Sequence, residues 1–259
     1  MQVGIDQLLT WKAAVVPAWF ALFFLAERWR PAAPMRLASP AGRRLLRNFA
    51  LWAINVALSP LIVVPISAYA AAHGLGWRPR WWGGAAALFG DLLVLDFLIY
   101  WWHRVNHEVP FLWRFHSVHH LDRFLDTTSA LRFHFGEVLL SALARAVVII
   151  VLAIPLASVL IFETLVLMAA MFHHSNLRLP PTLERALSVL VVTPSIHWVH
   201  HHRKRVDTDS NYCTILSVWD LIFRSRSRTA RQLDMAIGVE GREEVPLPAL
   251  VVAPFRTSA

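Results

Sequence analysis

The sequence has a single cysteine, Cys213, among its 259 residues. One cysteine excludes an internal disulfide framework, and it excludes zinc or iron–sulfur sites built from several cysteines of one chain. Charged residues are also scarce: they make up 16% of the chain, whereas hydrophobic residues make up 56% and the mean hydropathy is +0.48. A composition this apolar is typical of an integral membrane protein. The N-terminus lacks a basic segment and a small-residue cleavage site, so we expect the first hydrophobic run to be an anchor and not a cleaved signal peptide.

Long hydrophobic runs predict the transmembrane helices. Three runs of suitable length cover residues 11–26, 49–72 and 84–102, and a fourth covers residues 138–172. One crossing takes ~20 residues, so the fourth run is too long for one helix and predicts a two-helix hairpin with its tip near Pro155. The sequence therefore predicts an all-α integral membrane protein with about five transmembrane helices.

The basic residues predict how these helices are oriented. Six arginines lie between the first two runs, whereas only Arg78 and Arg80 precede the third. Because cytoplasmic loops carry the excess of basic residues, the first loop should be cytoplasmic and the N-terminus should lie outside. Residues 103–136 and everything after residue 173 then also fall on the cytoplasmic side. This bias explains the net charge of +8, so we expect no nucleic-acid partner.

Histidines are concentrated in one part of the sequence: twelve of the 13 lie between positions 103 and 202. The stretch FHSVHH places three at offsets i, i+3 and i+4, and SIHWVHHH repeats that spacing. Residues at these offsets share one face of a helix. Three imidazolium rings on one face would repel each other, so the spacing favours neutral imidazoles that bind a metal ion. The stretch WWHRVNHE adds a pair four residues apart, on a helix that is just leaving the membrane.

Several kinds of site could use so many histidines. Structural histidines could explain one cluster, but they do not explain the repeat of the triplet. A single catalytic zinc ion needs three protein ligands and would leave most of the rings unused, and HRVNHE lacks the glutamate that follows the first histidine of a zinc protease. A membrane haem is usually held by a histidine pair inside the spans, whereas these clusters lie at span ends and beyond. The number of rings fits two metal ions, and imidazole suits iron, copper, nickel and zinc.

The order of these motifs resembles the fatty acid hydroxylase/sterol desaturase superfamily of membrane-bound non-haem di-iron oxygenases. The similarity covers roughly residues 84–224 and is carried by LDFLIYWWHRVNH, FLWRFHSVHH, TTSALRFH, HHSNLRLP, TPSIHWVHHH and TDSNYCTILSVWDLIF. The resemblance implies two iron ions (Fe²⁺/Fe³⁺), O₂ as co-substrate and a lipid as substrate. It also implies ten iron ligands, which would be His103, His107, His116, His119, His120, His134, His174, His197, His200 and His201.

Other polar residues gain an expected role from this resemblance. Four of them should orient ligand imidazoles without binding iron themselves, although Asp96 could instead pair with Arg104 or Arg132, and His173 could be a surface group. These four are Asp96, His173, Asn211 and Asp220. Arg145 lies within the first helix of the hairpin, where an unpaired charge is costly. We expect it to pair with Asp91 or Glu163, or to extend its charged end towards the membrane surface.

The expected organisation has three parts: membrane anchor helices over residues 1–83, a catalytic domain over 84–232 and a tail over 233–259. The expected function is that of an oxidoreductase, a membrane-bound hydroxylase or desaturase that acts on a C–H bond of a fatty acyl, sterol or related lipid. Two alternatives use the same histidines: a non-catalytic membrane protein that binds or transports metal, and a dizinc hydrolase with Glu108 or Glu137 as its general base. We expect the membrane to be a bacterial inner membrane, with the histidines on its cytoplasmic side.

Such a reaction needs electrons from outside the chain. The sequence has no flavin fingerprint, no haem-attachment motif and no cysteine cluster, so we expect an external electron carrier, either ferredoxin-like or a haem protein, together with its reductase. A cationic run after the last histidine triplet could bind an acidic carrier, or it could serve only the positive-inside bias and contact anionic lipid headgroups. The run consists of Arg203, Lys204, Arg205, Arg224, Arg226, Arg228 and Arg231.

Overall fold

The structure, a computed structural model, describes residues 4–35, 41–79 and 81–256. Over these residues the chain is helical, and strand-like pairing is limited to three isolated bridges. The helices are α1 (Ile5–Trp29), α2 (Ala41–Leu58), α3 (Val63–Ala72), α4 (Gly84–Glu108), α5 (Pro110–His120), α6 (Phe135–Leu152), α7 (Leu156–His174), α8 (Pro181–Leu187), α9 (Pro194–His200), α10 (Arg205–Thr208), α11 (Val218–Ile222) and α12 (Leu247–Val252). Two short 3₁₀ helices cover Thr127–Leu131 and Ala253–Phe255. The prediction of an all-α protein is confirmed.

Among the described residues, four helices are long and apolar enough to cross a membrane, namely α1, α4, α6 and α7. Helices α2 and α3 meet at a bend of 43°. If this bent pair is counted as one span, the number of candidate spans rises to five. The predicted second span is therefore broken, and residues 59–62 form turns around Pro60. Proline has no N–H to donate and its ring crowds the preceding turn, so a continuous helix is disfavoured there. The protein is an integral membrane protein with four or five candidate spans, as the hydrophobic runs predict.

The long hydrophobic run folds as the predicted helical hairpin, with α6 followed by α7. Ala153 ends α6 in the left-handed conformation, with a φ of 49°, and Pro155 directly precedes α7. The connection between α3 and α4 packs against this tip, where a Cβ atom on Gly74 would lie only 3.0 Å from the Ala153 Cα atom. Nearby, the Leu75 N–H donates to the Ile150 carbonyl at 2.9 Å. These contacts attach the α3–α4 connection to the tip of the hairpin.

Helices α1 and α7 lie side by side and run in the same direction. The Trp19 indole N–H donates to the Met168 carbonyl at 3.0 Å, and the Phe23 and Phe172 rings pack with their centroids 5.5 Å apart. Helix α3 packs against α6, and α4 contacts both α5 and α7. This packing brings the C-terminal ends of α4 and α7, which both carry histidines, to the same end of the bundle.

A buried network of polar groups attaches the segment between α5 and α6 to the transmembrane helices. The Arg44 guanidinium of α2 lies 3.1 Å from the Asp122 carboxylate. Glu27, near the end of α1, accepts hydrogen bonds from the backbone N–H groups of Thr127 and Asn176, both at 2.9 Å. All five residues are buried. Buried charges are tolerated only when their hydrogen bonds are made, so the network favours one relative placement of these segments.

The C-terminal segment packs on the rest of the molecule. Leu250 of α12 is fully buried in one cluster with Leu51 of α2 and Val118 of α5. Residues from the predicted anchor, catalytic domain and tail therefore share a hydrophobic cluster. The boundaries between these three parts stay a prediction.

Candidate metal centre

Nine histidines form two adjacent groups at one end of the bundle. Within each group, one ring nitrogen of every member lies within 4.8 Å of those of all the others. The first group is His103, His107, His116, His120 and His200, and the second is His119, His174, His197 and His201. All nine are buried except His103, which is partly exposed. The groups touch, since the His120 and His201 rings stack with their centroids 4.2 Å apart.

Each triplet with the spacing i, i+3 and i+4 contributes to both groups. On α5, His116 and His120 lie in the first group, whereas His119 lies in the second. In the triplet that begins on α9, His197 and His201 lie in the second group, whereas His200 lies in the first. On a helix, the side chains at i+3 and i+4 lie on either side of the direction in which the side chain at i points. One triplet can therefore supply ligands to two neighbouring sites.

Ring nitrogens face each other at close range within the groups. Nε2 of His120 lies 3.2 Å from Nε2 of His116, and Nε2 of His174 lies 3.0 Å from Nε2 of His119. Nε2 of His107 is buried and has no hydrogen-bond partner in the part of the chain that the structure describes. A neutral imidazole carries one N–H, so nitrogens that converge in this way leave lone pairs that a metal cation would satisfy. The residues present therefore fit two metal ions, one in each group.

The other ring nitrogen of several members makes a hydrogen bond that selects the tautomer. Nδ1 donates to a backbone carbonyl in four of them: His103 to Tyr212 (2.7 Å), His200 to Ser210 (2.6 Å), His119 to Arg132 (3.0 Å) and His174 to Ala170 (2.8 Å). Donation from Nδ1 leaves the lone pair on Nε2, which is the state that a metal ligand needs. Because the acceptors are backbone atoms, no pattern of side chains in the sequence identifies them.

His116 differs because its Nδ1 faces a carboxylate. Oε1 of Glu137, in the first turn of α6, lies 2.7 Å from this nitrogen, and both residues are buried. The close approach of α6 to α5 depends on Gly136, where a Cβ atom would lie 2.5 Å from the Phe115 ring. A carboxylate that accepts the second N–H of an imidazole orients the ring and makes it a more basic ligand. Sequence reasoning considers Glu137 only as a general base and misses this contact.

The grouped rings outside the transmembrane helices favour the neutral form. Burial, and after it the neighbouring imidazoles, hold the pKa of His120 and His201 well below the usual range. The same two causes lower the pKa of His119 and His197. Only a neutral imidazole binds a metal cation, so these rings are in the binding form at neutral pH.

The tenth predicted ligand, His134, lies outside both groups. Its Nδ1 accepts a hydrogen bond from the Gly136 N–H at 2.9 Å, which caps the N-terminus of α6. Its Nε2 donates to the Val251 carbonyl at 3.0 Å. Burial lowers the pKa of His134, in agreement with a neutral ring that donates through one nitrogen and accepts through the other. Both nitrogens are occupied, so the structure gives His134 a capping role and does not bring it to the metal centre.

Of the residues predicted to contact ligand rings, His173 does so and Asp96 does not. The buried His173 ring packs against the His197 ring, with the centroids 4.0 Å apart. Oδ2 of Asp96 accepts from the Trp219 indole N–H at 2.8 Å and from the Leu216 N–H at 3.3 Å. Asp96 therefore attaches α4 to the segment around α11. Within the described residues it pairs neither with a ligand imidazole nor with Arg104 or Arg132, which pair with glutamates.

Asp220 contacts the backbone of the loop 210–213, and Asn211 belongs to this loop. Asp220 accepts hydrogen bonds from the N–H groups of Tyr212, at 2.9 Å, and Cys213, at 3.1 Å. It thereby holds the loop whose Ser210 and Tyr212 carbonyls accept from histidines. Asn211 has a φ of 54°, a left-handed conformation that asparagine adopts more readily than most residues. The orienting role predicted for these two residues stays a prediction.

A cavity of 380 Å³ leads from the histidines into the transmembrane region. Six histidines border it, and side chains of α1, α2, α4, α6 and α7 line most of the rest. Most of these side chains are hydrophobic, such as Trp52, Val166 and Met171. A cavity with mostly apolar walls and polar groups at a few places is suited to binding a lipid chain.

The model of the fatty acid hydroxylase family matches residues 88–225. The chain belongs to this family. The matched segment contains all nine histidines of the two groups. The resemblance of the histidine motifs to this superfamily is therefore confirmed.

Several curated proteins are similar to the chain. Ornithine lipid hydroxylase from Rhizobium tropici is 26% identical over 76% of this chain and 58% of its own length. Human alkylglycerol monooxygenase is 31% identical over 55% of this chain and 31% of its own length. A very-long-chain aldehyde decarbonylase from Oryza sativa subsp. indica is 27% identical over 60% of this chain and 26% of its own length. The chain thus spans less than two thirds of the length of these relatives, and no solved structure gives a significant match to it.

Proposed function

We propose that the protein is a di-iron, O₂-dependent oxidoreductase that hydroxylates or desaturates a C–H bond of a fatty acyl, sterol or related lipid. The observation that carries the proposal is the location of both histidine groups beside an apolar cavity within the transmembrane bundle. Such a cavity would present a hydrocarbon chain to the centre and would exclude water from it. The printed names of two relatives, a lipid hydroxylase and a monooxygenase, support a lipid substrate and an oxygenation.

The proposed ligands of the two iron ions are the nine grouped histidines. Bound iron would supply the activation of O₂ that C–H oxidation requires. The chain itself holds the imidazoles in one tautomer, through the loop carbonyls and Glu137, and positions the lipid along the cavity. Imidazole also suits copper and zinc, and iron is preferred because the proposed reaction uses O₂ on an unactivated C–H bond.

Two observations favour an oxygenase over the alternatives. A metal transporter should carry its ligands along a path at mid-membrane, whereas these histidines lie at one end of the bundle. A dizinc hydrolase needs a free general base near the metals. Glu108 is half exposed and pairs with Arg104 at 2.7 Å. Glu137 accepts from His116 through Oε1, which leaves only Oε2 to act as a base.

Incorporation of oxygen from O₂ into lipid tests the proposed function. Protein reconstituted in bacterial lipid vesicles would be incubated with heavy-isotope O₂, a ferredoxin and its reductase, and the lipids would be analysed by mass spectrometry. We expect a lipid that gains labelled oxygen, or one that loses a pair of hydrogens, and only when the electron source is present. A product that forms without O₂ or reductant, with oxygen taken from water, would contradict the proposal and support a hydrolase.

We also propose that the partner is an acidic electron carrier, ferredoxin-like or a haem protein, which docks on the cationic run. Arg224 and Arg228 are exposed and form no ion pair within the described ranges. Arg203 and Arg205 instead pair with carboxylates, so they contribute less attraction. Exposed charges are screened by salt, so carrier-dependent turnover should slow as the ionic strength rises.

We propose that the histidine groups face the cytoplasm of a bacterial cell, because arginines are concentrated in the first loop. Labelling of introduced cysteines from outside intact cells checks this. Arg123→Cys and Val206→Cys should stay unlabelled, whereas Trp81→Cys, on the connection before α4, should react. Val206 and Trp81 make a fair comparison because each is 77% exposed. The native Cys213 is fully buried, so its background should be low. Labelling at position 123 or 206 would overturn the proposed orientation.

A further inference from the structure

Three charged side chains meet within the transmembrane bundle, each from a different helix. Nζ of Lys12, on α1, lies 2.9 Å from Oε2 of Glu163, on α7. Nη2 of Arg145, on α6, lies 3.0 Å from Oε1 of the same carboxylate. One of the two pairings predicted for Arg145 is therefore confirmed. Lys12, Arg145 and Glu163 thus form a charged cluster.

The charged cluster carries an uncompensated positive charge. Two cations share one carboxylate, which leaves a net charge of +1 (2 − 1). Nε of Arg145 is buried, and no described residue accepts a hydrogen bond from it. Charged groups within transmembrane helices are costly, and they are commonly found where a protein binds a substrate or an ion. The charged cluster lacks one anion for neutrality.

The charged cluster lines the same cavity as the histidines. A second cavity, of 250 Å³, lies between α4 and α6 and is lined almost wholly by hydrophobic side chains such as Leu98, Val105 and Val148. Arg145 borders both cavities. The two cavities therefore lie side by side, and Arg145 belongs to the wall of each.

A hydrophobic stretch of the cavity separates the charged cluster from the histidines. Glu163 and His174 lie eleven residues apart on α7, which corresponds to about 16 Å along the helix axis. The cavity wall between them includes Val166, Leu167 and Met171. A hydrocarbon chain that lay along this wall would have its end group at the charged cluster and one of its methylene groups beside the histidines.

We propose that the charged cluster binds the anionic group of the lipid substrate, a carboxylate or a phosphate ester at the end of an alkyl chain. This inference rests on the proposed function, since it names a feature of the substrate. The anion would neutralise the net charge and accept hydrogen bonds from Arg145 Nε and from the Lys12 ammonium group. It would also determine which carbon of the chain lies beside the histidines, and with it the position of oxidation.

Equilibrium binding to metal-loaded protein without a reductant tests the inference separately from turnover. The probes are palmitate, hexadecyl phosphate and hexadecanol, which have chains of the same length. We expect at least about tenfold tighter binding of an anionic probe than of the alcohol, because hydrogen bonds to charged groups are strong. A preference between the two anions would distinguish a carboxylate from a phosphate. Equal affinity for all three probes would overturn the inference.

Two substitutions with opposite expected effects make the test sharper. Arg145→Gln should abolish the preference for anions, whereas Glu163→Gln should strengthen anion binding because it removes the competing carboxylate. If the cluster has a purely structural role, Glu163→Gln should make the protein less stable without increasing its affinity for anions. This result would overturn the inference, even if Arg145→Gln fails to fold. The matched control is Arg104→Gln, which removes an Arg–Glu pair outside the cavity and should leave the preference unchanged.

Binding and turnover can fail independently. Preference for the anionic probes without any lipid oxidation would support the anion site and contradict the proposed function. Lipid oxidation that proceeds equally well with charged and neutral lipids, and without the binding preference, would remove only the anion site.

Discussion

Replacing His120 with alanine should remove the metal ion of the first group and abolish lipid oxidation. His120 is fully buried, and its Nε2 lies 3.2 Å from Nε2 of His116. Its loss would open a ligand position in a site that depends on converging nitrogens, so the ion should be held far more weakly. His201→Ala should have the same effect on the second group, to which His201 belongs. Each variant should therefore retain about one ion per chain where the parent protein has about two, given one ion for each group of imidazoles.

Metal analysis of detergent-purified protein after dialysis against a chelator measures this effect. His73→Ala is the control for loss of an exposed histidine. His202→Ala is a closer control, because His202 follows His201 directly but contacts the Asp207 carboxylate at 2.7 Å and lies in neither group. Both controls should keep their metal. Full metal content in the double variant His120→Ala, His201→Ala would contradict the assignment of these ligands.

The spacing of the histidine triplets carried most of the information about the centre. An H-x-x-H-H pattern on a helix depends only on local geometry, so the sequence could predict that the rings of each triplet share a face. It could not predict that each triplet divides between two groups. That division depends on how α4, α7 and α9 approach α5, which is a property of the tertiary packing.

Isolated histidines were harder to assign than triplets. His134 and His174 had the same kind of sequence support, yet only His174 lies in a group. His174 ends a transmembrane helix that points at the centre. His134 directly precedes a helix, whose first N–H groups need hydrogen-bond acceptors. Its Nδ1 accepts from the Gly136 N–H and its Nε2 donates to the Val251 carbonyl, so neither nitrogen is available to a metal ion. Asp96 was likewise expected to orient a ligand imidazole, whereas its partner Trp219 comes from a segment more than a hundred residues later.

Replacing Glu137 with alanine should weaken metal binding by the first group about 10- to 100-fold, which is typical when a carboxylate that orients a ligand histidine is removed. Glu137 accepts from Nδ1 of His116 at 2.7 Å, and both side chains are buried, so alanine would leave that N–H without a partner and the ring free to turn. Glu137→Gln keeps an acceptor but removes the charge and should show a smaller loss. The measurement is competition for metal with a chelator of known affinity.

Glu108→Ala is the matched control, since Glu108 is another glutamate near the centre but is 51% exposed and pairs with Arg104. It should bind metal as the parent protein does.

The comparison also separates two roles for Glu137. If Glu137→Ala binds metal with the parent affinity and yet loses activity, Glu137 does not orient His116. It would then act on the substrate as an acid or base, which is the role that a dizinc hydrolase requires. Loss of affinity and of activity together, with the loss reduced in Glu137→Gln, would support a carboxylate that acts through His116 on the bound metal.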